Sequence, residues 1–246
     1  MPARHDSDML SAQLPWLSTE QRAWRASARL TVQALGAAGG VVPGFRFLAL
    51  DERAPARLWR LALRSLGLAP PEPHLAHYLL GGTARVCSAG TGRELLGLLS
   101  RVLGSTELAR RFVCAHEWAH AWHEWAGLPL CTRAGRLSDV PLAKSVHLKR
   151  RGSARAVSGP AWVLAKSIEE AFCDASACFA LRLMGEPDAL MRMAAFRKAS
   201  AVLGVSARTH HNHRALLACA QAIDLCDDFA SFATALAMVL APHLRV

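Results

Sequence analysis

The chain has 246 residues, of which 52% are hydrophobic, so it is long enough for one large domain or for one domain with an extension. No run approaches about 18 uninterrupted apolar residues, which argues against a membrane-spanning helix. Seven cysteines, an odd number without a C-x-x-C pair, argue against a disulfide framework and against a separate structural zinc knuckle.

Charge and cysteine usage also bear on partners and location. The formal net charge of +10 indicates affinity for acidic surfaces, but the basic residues are not interleaved with aromatic ones, so we do not expect nucleic acid to bind. The first eight residues are polar and no apolar segment follows them, so we expect no signal peptide. We therefore expect a cytoplasmic protein, or an effector that is exported without a conventional signal peptide.

The first 70 residues are expected to form an N-terminal helical extension. Ser18 lies three residues before Gln21, the spacing of a capping box at a helix start. The predicted elements are a helix that runs to Leu35, a short strand at 45–50 and a second helix at 56–66. The proline-rich segment 69–73 then marks a boundary, so that residues 71–246 form the main domain unless the two parts are continuous.

The main domain begins with a hairpin pattern, in which the short segments 75–80 and 84–88 flank Gly81-Gly82. Helices are predicted after it at 93–103, 106–126, 168–184, 189–203, 210–225 and 229–240. Residues 128–166, which are rich in lysine and arginine, are predicted to be a long connection that either covers the site or is a solvated loop. The sequence therefore predicts a mainly helical α+β protein with a small sheet.

The pattern H-E-x-x-H occurs within the predicted helix 106–126, as His116, Glu117 and His120. Four residues of α-helix turn through about 400°, so the two histidines share one face and can occupy two corners of a tetrahedral zinc site. Glu117 lies about 100° around the helix, close enough to act as the general base for a water molecule on the zinc. The alternative is an amphipathic helix whose histidines are ordinary surface or core polar groups.

A second acidic segment makes zinc the favoured interpretation. Glu170 and Asp174 share a face of the predicted helix 168–184, because they are four residues apart. A catalytic zinc needs a third protein ligand and a carboxylate that orients a ligand histidine, and these two residues would supply one each. Glu169 is expected to point about 100° away from Glu170, so Glu169→Gln should leave zinc binding nearly unchanged.

The two segments together resemble those of the gluzincins, zincin peptidases whose third zinc ligand is a glutamate on a separate helix. The plant LIM-domain, ubiquitin-activated peptidases and their bacterial relatives have H-E-x-x-H-A-W, matched by 116–122, and E-E-G-x-C, matched by 169–173 with alanine for glycine. The resemblance covers about 60 residues, and this chain has no LIM cysteines. It implies a mini-gluzincin-like zincin fold, a Zn²⁺ cofactor, and Glu170 rather than Glu169 as the ligand.

Two other gluzincin families have a similar downstream helix. The ImmA/IrrE-type peptidases, which cleave repressors, have glutamate four residues before asparagine. The prenyl-protease and HtpX group has glutamate four residues before aspartate, but it also has membrane helices, which this sequence lacks.

The predicted function is hydrolysis of peptide bonds in a protein or peptide substrate, with Glu117 as the general base. A donor that stabilises the transition state is also expected. The candidates are His210, His211 and His213, although a helix start with surface histidines is an equal alternative. The rival function is that of a non-catalytic zinc-containing protein which binds or regulates a partner through its basic surface. The intact Glu117 favours an enzyme, because a structural zinc site needs no base.

Two further residues near the motifs are assigned structural roles. His123 lies seven residues after His116, so it is expected to form the cleft wall or to lie behind the ligands. Cys173 is interpreted as a small buried hydrophobic residue.

Overall fold

The computed structural model describes residues 19–50, 76–79, 83–87, 91–126, 160–203 and 212–240. The chain is mainly helical in these ranges, as predicted. The helices are α1 (Thr19–Ala37), α2 (Thr91–Leu103), α3 (Thr106–Ala126), α4 (Pro160–Leu183), α5 (Ala189–Val202), α6 (His213–Ala218), α7 (Ala220–Leu225) and α8 (Phe229–Leu240), and the strands are β1 (Arg46–Leu50), β2 (Ala76–Leu79) and β3 (Thr83–Cys87). None of these helices is long and apolar enough to cross a membrane.

The strands form one small sheet with the order β1-β3-β2. β2 and β3 pair antiparallel, with Ala76 opposite Val86, which is the pairing expected for the segments that flank Gly81-Gly82. β1 lies parallel to β3, with Arg46 opposite Thr83. The sheet therefore joins a strand from the first 70 residues to two strands that follow them. The predicted helix 56–66 and the predicted boundary at 70 lie outside the described residues.

α3 and α4 form the buried centre of the described structure. Every residue from 112 to 123 in α3, and every residue from 168 to 181 in α4, is buried. Helices that are apolar on all sides must be covered on all sides, and α1, α2 and α8 supply part of that cover. The few polar side chains within these two stretches are therefore held away from bulk water.

Aromatic rings attach α8 to this central pair. The ring of Phe229, at the start of α8, lies 4.9 Å from the Trp118 ring and 5.0 Å from the Trp122 ring in edge-to-face arrangements. Trp122 also stacks on Phe172 of α4 at 5.9 Å. Such pairs add to the free energy gained by burying their apolar area. Phe229 thus fixes α8 against the helix that carries the H-E-x-x-H pattern.

Polar contacts attach α1 to the same helix. The hydroxyl of Ser27 donates to the carboxylate of Glu107 at 3.2 Å, and Nη2 of Arg110 lies 2.8 Å from the carboxylate of Glu20. The backbone N–H of Phe229 donates to the carbonyl of Ala38 at 2.6 Å, just beyond the end of α1. The contacts of Ser27 and Arg110 align α1 along α3, and the apolar faces of these two helices pack together.

Two predicted helix boundaries were wrong. α4 begins at Pro160 rather than at 168, so the end of the predicted 128–166 connection is helical. Proline fits the first turn of a helix, where its missing N–H is not needed. The predicted helix 210–225 is two short helices that meet at Cys219, whose N–H bonds to the carbonyl of Leu216, three residues back, rather than four.

Gly40 is predicted to be intolerant of a side chain. A Cβ there would lie 2.9 Å from the Trp118 ring and 3.2 Å from the Phe229 ring, both of which are buried. Gly40→Ala is therefore expected to lower the free energy of unfolding by about 1–3 kcal/mol. Gly36, in α1, is the matched control: a Cβ there meets nothing within 4 Å, so Gly36→Ala should raise the free energy of unfolding by about 0.5–1 kcal/mol. Urea denaturation measures both, and equal shifts in the two variants would contradict the close contact at Gly40.

Candidate metal centre

Two pairs of residues with i,i+4 spacing face each other across α3 and α4, and the two helices run in opposite directions here. Nδ1 of His116 lies 3.0 Å from Oδ1 of Asp174, and its Nε2 lies 3.2 Å from Oε2 of Glu170. Nε2 of His120 lies 4.0 Å from the same oxygen of Glu170. The structure therefore brings together four of the side chains that the sequence singled out.

Nε2 of each histidine lies near one oxygen of Glu170. In a tetrahedral zinc site with bonds of about 2.0–2.1 Å, neighbouring ligand atoms are about 3.3–3.4 Å apart. The 3.2 Å separation between His116 Nε2 and Glu170 Oε2 fits this spacing, and the 4.0 Å separation from His120 is about 0.6 Å longer. Two imidazoles and one carboxylate are also a donor set that catalytic zinc sites use. The residues present thus fit a zinc ion.

Glu169 corrects one expectation from the sequence. It was expected to point away from the metal, but its Oε1 lies 2.8 Å from Nδ1 of His120. Each histidine therefore has its own carboxylate at Nδ1, Asp174 for His116 and Glu169 for His120. Such a carboxylate fixes the tautomer of the ring and its orientation, and leaves Nε2 as the atom that can bind a metal.

Cys173 is a further donor beside the two histidines. Its Sγ and one ring nitrogen each of His116 and His120 all lie within 4.8 Å of one another, so these three buried residues could also hold a metal. Glu170 is the second candidate for a third donor, because its Oε2 lies 3.2 Å from Nε2 of His116 and 4.0 Å from Nε2 of His120. The interpretation of Cys173 as a small hydrophobic residue agrees with its complete burial but overlooks its position.

Arg197 of α5 binds the Asp174 carboxylate, whose Oδ1 also faces His116. Its Nε and Nη2 donate to the two oxygens of the Asp174 carboxylate at 2.8 and 2.9 Å, and the side-chain amide of Asn212 donates to Oδ2 at 3.3 Å. Neither residue was identified from the sequence. Arg197 is 23 residues from Asp174 on another helix, and no local spacing connects them.

The charged groups around Asp174 strongly shift the pKa values of His116 and of Asp174 itself. Burial alone would lower the pKa of His116, but its hydrogen bonds to Asp174 and Glu170 outweigh that effect and raise the pKa from 6.5 to about 10. Burial alone would raise the pKa of Asp174, but Arg197 and His116 outweigh it and hold the pKa of that carboxyl well below its usual range. In the metal-free protein His116 is therefore an imidazolium at neutral pH.

The remaining candidates from the sequence differ in burial and in the contacts that they make. Glu117 follows His116 on α3 and is only 6% exposed. His123 is fully buried and packs edge-on against Phe172, 5.5 Å between ring centroids. His213 begins α6 directly after Asn212, whose side-chain amide contacts Asp174. The other two histidines proposed as transition-state stabilisers, His210 and His211, lie outside the described residues.

Comparisons with known proteins give no relative for this chain. No family model matches it, and neither a curated protein nor a solved structure matches it at a significant level. The resemblance to gluzincins therefore rests on the residues of the two motifs.

The metal-free protein is predicted to be most stable between about pH 4 and pH 6.5. The raised pKa of His116 gives stability that is complete below its ordinary value of 6.5 and is lost as the pH rises towards about 10. The lowered pKa of Asp174 gives stability that is lost as the pH falls below its ordinary value of 3.8. Each group contributes a slope of up to about 1.4 kcal/mol per pH unit in its window. Urea denaturation with a chelator present measures this dependence.

The variant Asp174→Asn is the control for the alkaline part of this profile. It removes the carboxylate that stabilises the His116 imidazolium, so its stability should fall less steeply than that of the parent between pH 6.5 and pH 10. Parallel profiles for the two proteins in that window would contradict the assigned cause.

Proposed function

We propose that this chain is a zinc-dependent peptidase of the gluzincin type, with a zincin fold built around α3 and α4. The observation that carries the proposal is the approach of Nε2 of His116 and Nε2 of His120 to one oxygen of Glu170, with Glu117 next along α3. The geometry supports a metal centre, and the H-E-x-x-H pattern with its resemblance supports hydrolysis of a peptide bond.

His116, His120 and Glu170 would hold the ion in this proposal. A bound Zn²⁺ would supply a Lewis acid for the attacking water and for the peptide carbonyl. The carboxylates of Asp174 and Glu169 accept the Nδ1 hydrogens of the two histidines, so each ring turns its Nε2 lone pair towards the side of Glu170. Since His116 is protonated without metal, binding must displace one proton from it.

Glu117 is the residue that moves protons in the proposed reaction. Its carboxylate takes a proton from the attacking water as that water adds to the peptide carbonyl, and it gives the proton to the amine that leaves. Glu117 is one residue after His116, which places it about 100° around α3, beside the metal-binding face rather than on it. This position suits a base that works next to the metal without being a ligand.

Arg197 is a positioning residue in the same proposal. Its two bonds to Asp174 fix the plane of that carboxylate, and Asp174 in turn fixes the ring of His116. A fork of two parallel bonds between guanidinium and carboxylate holds orientation more tightly than a single contact. The orientation of one ligand histidine is therefore determined by a residue on α5.

The second candidate function is that of a non-catalytic zinc protein which binds or regulates a partner through its basic surface. Cys173 is the observation that favours it, because a zinc ion with four protein donors is typical of structural sites. The buried Glu117 favours the peptidase, since a structural site has no use for a base beside it.

The protein is predicted to bind close to one equivalent of zinc, and His116→Ala or His120→Ala should lose most of it. Glu170→Gln should weaken zinc binding most among the carboxylate variants, because it removes an anionic donor. Glu169→Gln should weaken it by about 10-fold or more, because it disturbs the hydrogen bond to Nδ1 of His120. Competition with a chromophoric chelator measures the affinities.

Glu107→Gln is the matched control for these variants. Glu107 is also on α3, but it contacts Ser27 and Arg111, so zinc affinity should stay at the parental value. Full zinc occupancy in both histidine variants would contradict the proposed site.

Glu117→Gln is predicted to fold and to bind zinc like the parent, but to cleave protein substrate at least 10²-fold more slowly, because the proton acceptor is lost. Comparison of lysates treated with parent and with variant identifies cleaved proteins, and their rates of cleavage are then measured. Glu94→Gln, on α2, is the control and should cleave at the parental rate. Identical cleavage by the parent and Glu117→Gln, with zinc in both, would rule out this mechanism and favour the non-catalytic alternative.

A further inference from the structure

We infer that the thiolate of Cys173 is a fourth protein donor to the metal held by His116, His120 and Glu170, so that the centre is closed in its resting state. This inference rests on the proposed metal site and concerns how that site is regulated. A zinc ion with four protein ligands has no position left for water, whereas a catalytic one keeps such a position open.

The position of Cys173 on α4 supports this assignment. It lies three residues after Glu170, and residues three apart are neighbours on one face of a helix. Its Sγ and one ring nitrogen of each histidine lie within 4.8 Å of one another. In a tetrahedral site the sulfur would lie about 3.6 Å from each nitrogen, so an adjustment of about 1 Å brings the sulfur from within 4.8 Å to that separation.

The chemistry of the thiol points in the same direction. Zinc prefers thiolate to carboxylate or water as a ligand, and a thiol beside a bound zinc ion loses its proton to solvent. Cys173 is completely buried, so its thiol does not turn to solvent, and its Sγ lies beside both histidines. Hydrolysis then requires the thiolate to leave the metal, which makes Cys173 a brake on the proposed peptidase.

The absorption spectrum of the cobalt(II)-loaded full chain tests this inference. Cobalt bound by a thiolate gives a sulfur-to-metal charge-transfer band in the near ultraviolet, in addition to the visible bands of any tetrahedral cobalt site. The parent protein should show both kinds of band. Cys173→Ser and Cys173→Ala should lose the near-ultraviolet band and keep the visible ones. Cys178→Ser, which changes another buried cysteine of α4, should keep both.

The outcomes separate the role of Cys173 from the metal site itself, and the comparison of the parent with Glu117→Gln decides between a peptidase and a non-catalytic zinc protein. In one outcome the parent shows visible cobalt bands but no near-ultraviolet band, and the visible bands disappear in His116→Ala. This outcome would overturn the role of Cys173 and leave the metal site intact. A charge-transfer band that persists in both Cys173 variants would also overturn it. Absence of any cobalt binding by the parent would overturn the inference together with the metal site.

Discussion

Burial of charge between α3 and α4 is the constraint on which the rest of the structure depends. The segment 169–174 contributes three carboxylates, each of which is buried, and an isolated buried carboxylate costs several kcal/mol. Arg197 supplies one positive charge to Asp174, and a divalent cation between two neutral histidines would compensate the other two. Glu117 is a further buried carboxylate on α3, next to His116 in the chain.

The contacts that compensate the charge of Asp174 also position α5 and α6. α5 reaches Asp174 through Arg197, and the start of α6 reaches it through Asn212. Both elements are therefore attached to the carboxylate that orients His116, rather than packed only through apolar contacts. A change in the packing of α5 would therefore alter the orientation of the His116 ring, because Arg197 binds Asp174 and Asp174 binds His116.

The site was predictable from the sequence to the extent that helix geometry determines it. His116 with His120, and Glu170 with Asp174, each share a face because four residues separate them, and no tertiary information is needed for that. The contact of Glu169 with His120 does not follow from helix periodicity, because it depends on how α3 and α4 pack against each other. When two helices pack antiparallel, two successive side chains of one helix, about 100° apart, can both reach side chains of the other helix.

The contacts made across the chain could not be predicted from local patterns. α3 has the predicted bounds because glycine and proline follow its end, and these signals are local. Arg197 and Asn212 reach Asp174 from other helices, and the early start of α4 at Pro160 lies inside a stretch without helical periodicity. With a single sequence, such residues are found only when the fold has placed them together.

The bond between the N–H of Phe229 and the carbonyl of Ala38 has a consequence for synthesis of the protein. The two residues are far apart along the chain, so the ribosome must add almost all of the described residues before this bond can form. Until then the end of α1 lacks its partner, and Trp118 lacks the aromatic ring that covers it. The cover of the helix with the H-E-x-x-H pattern is thus completed only once α8 is present, and contacts of such long range are slow to form.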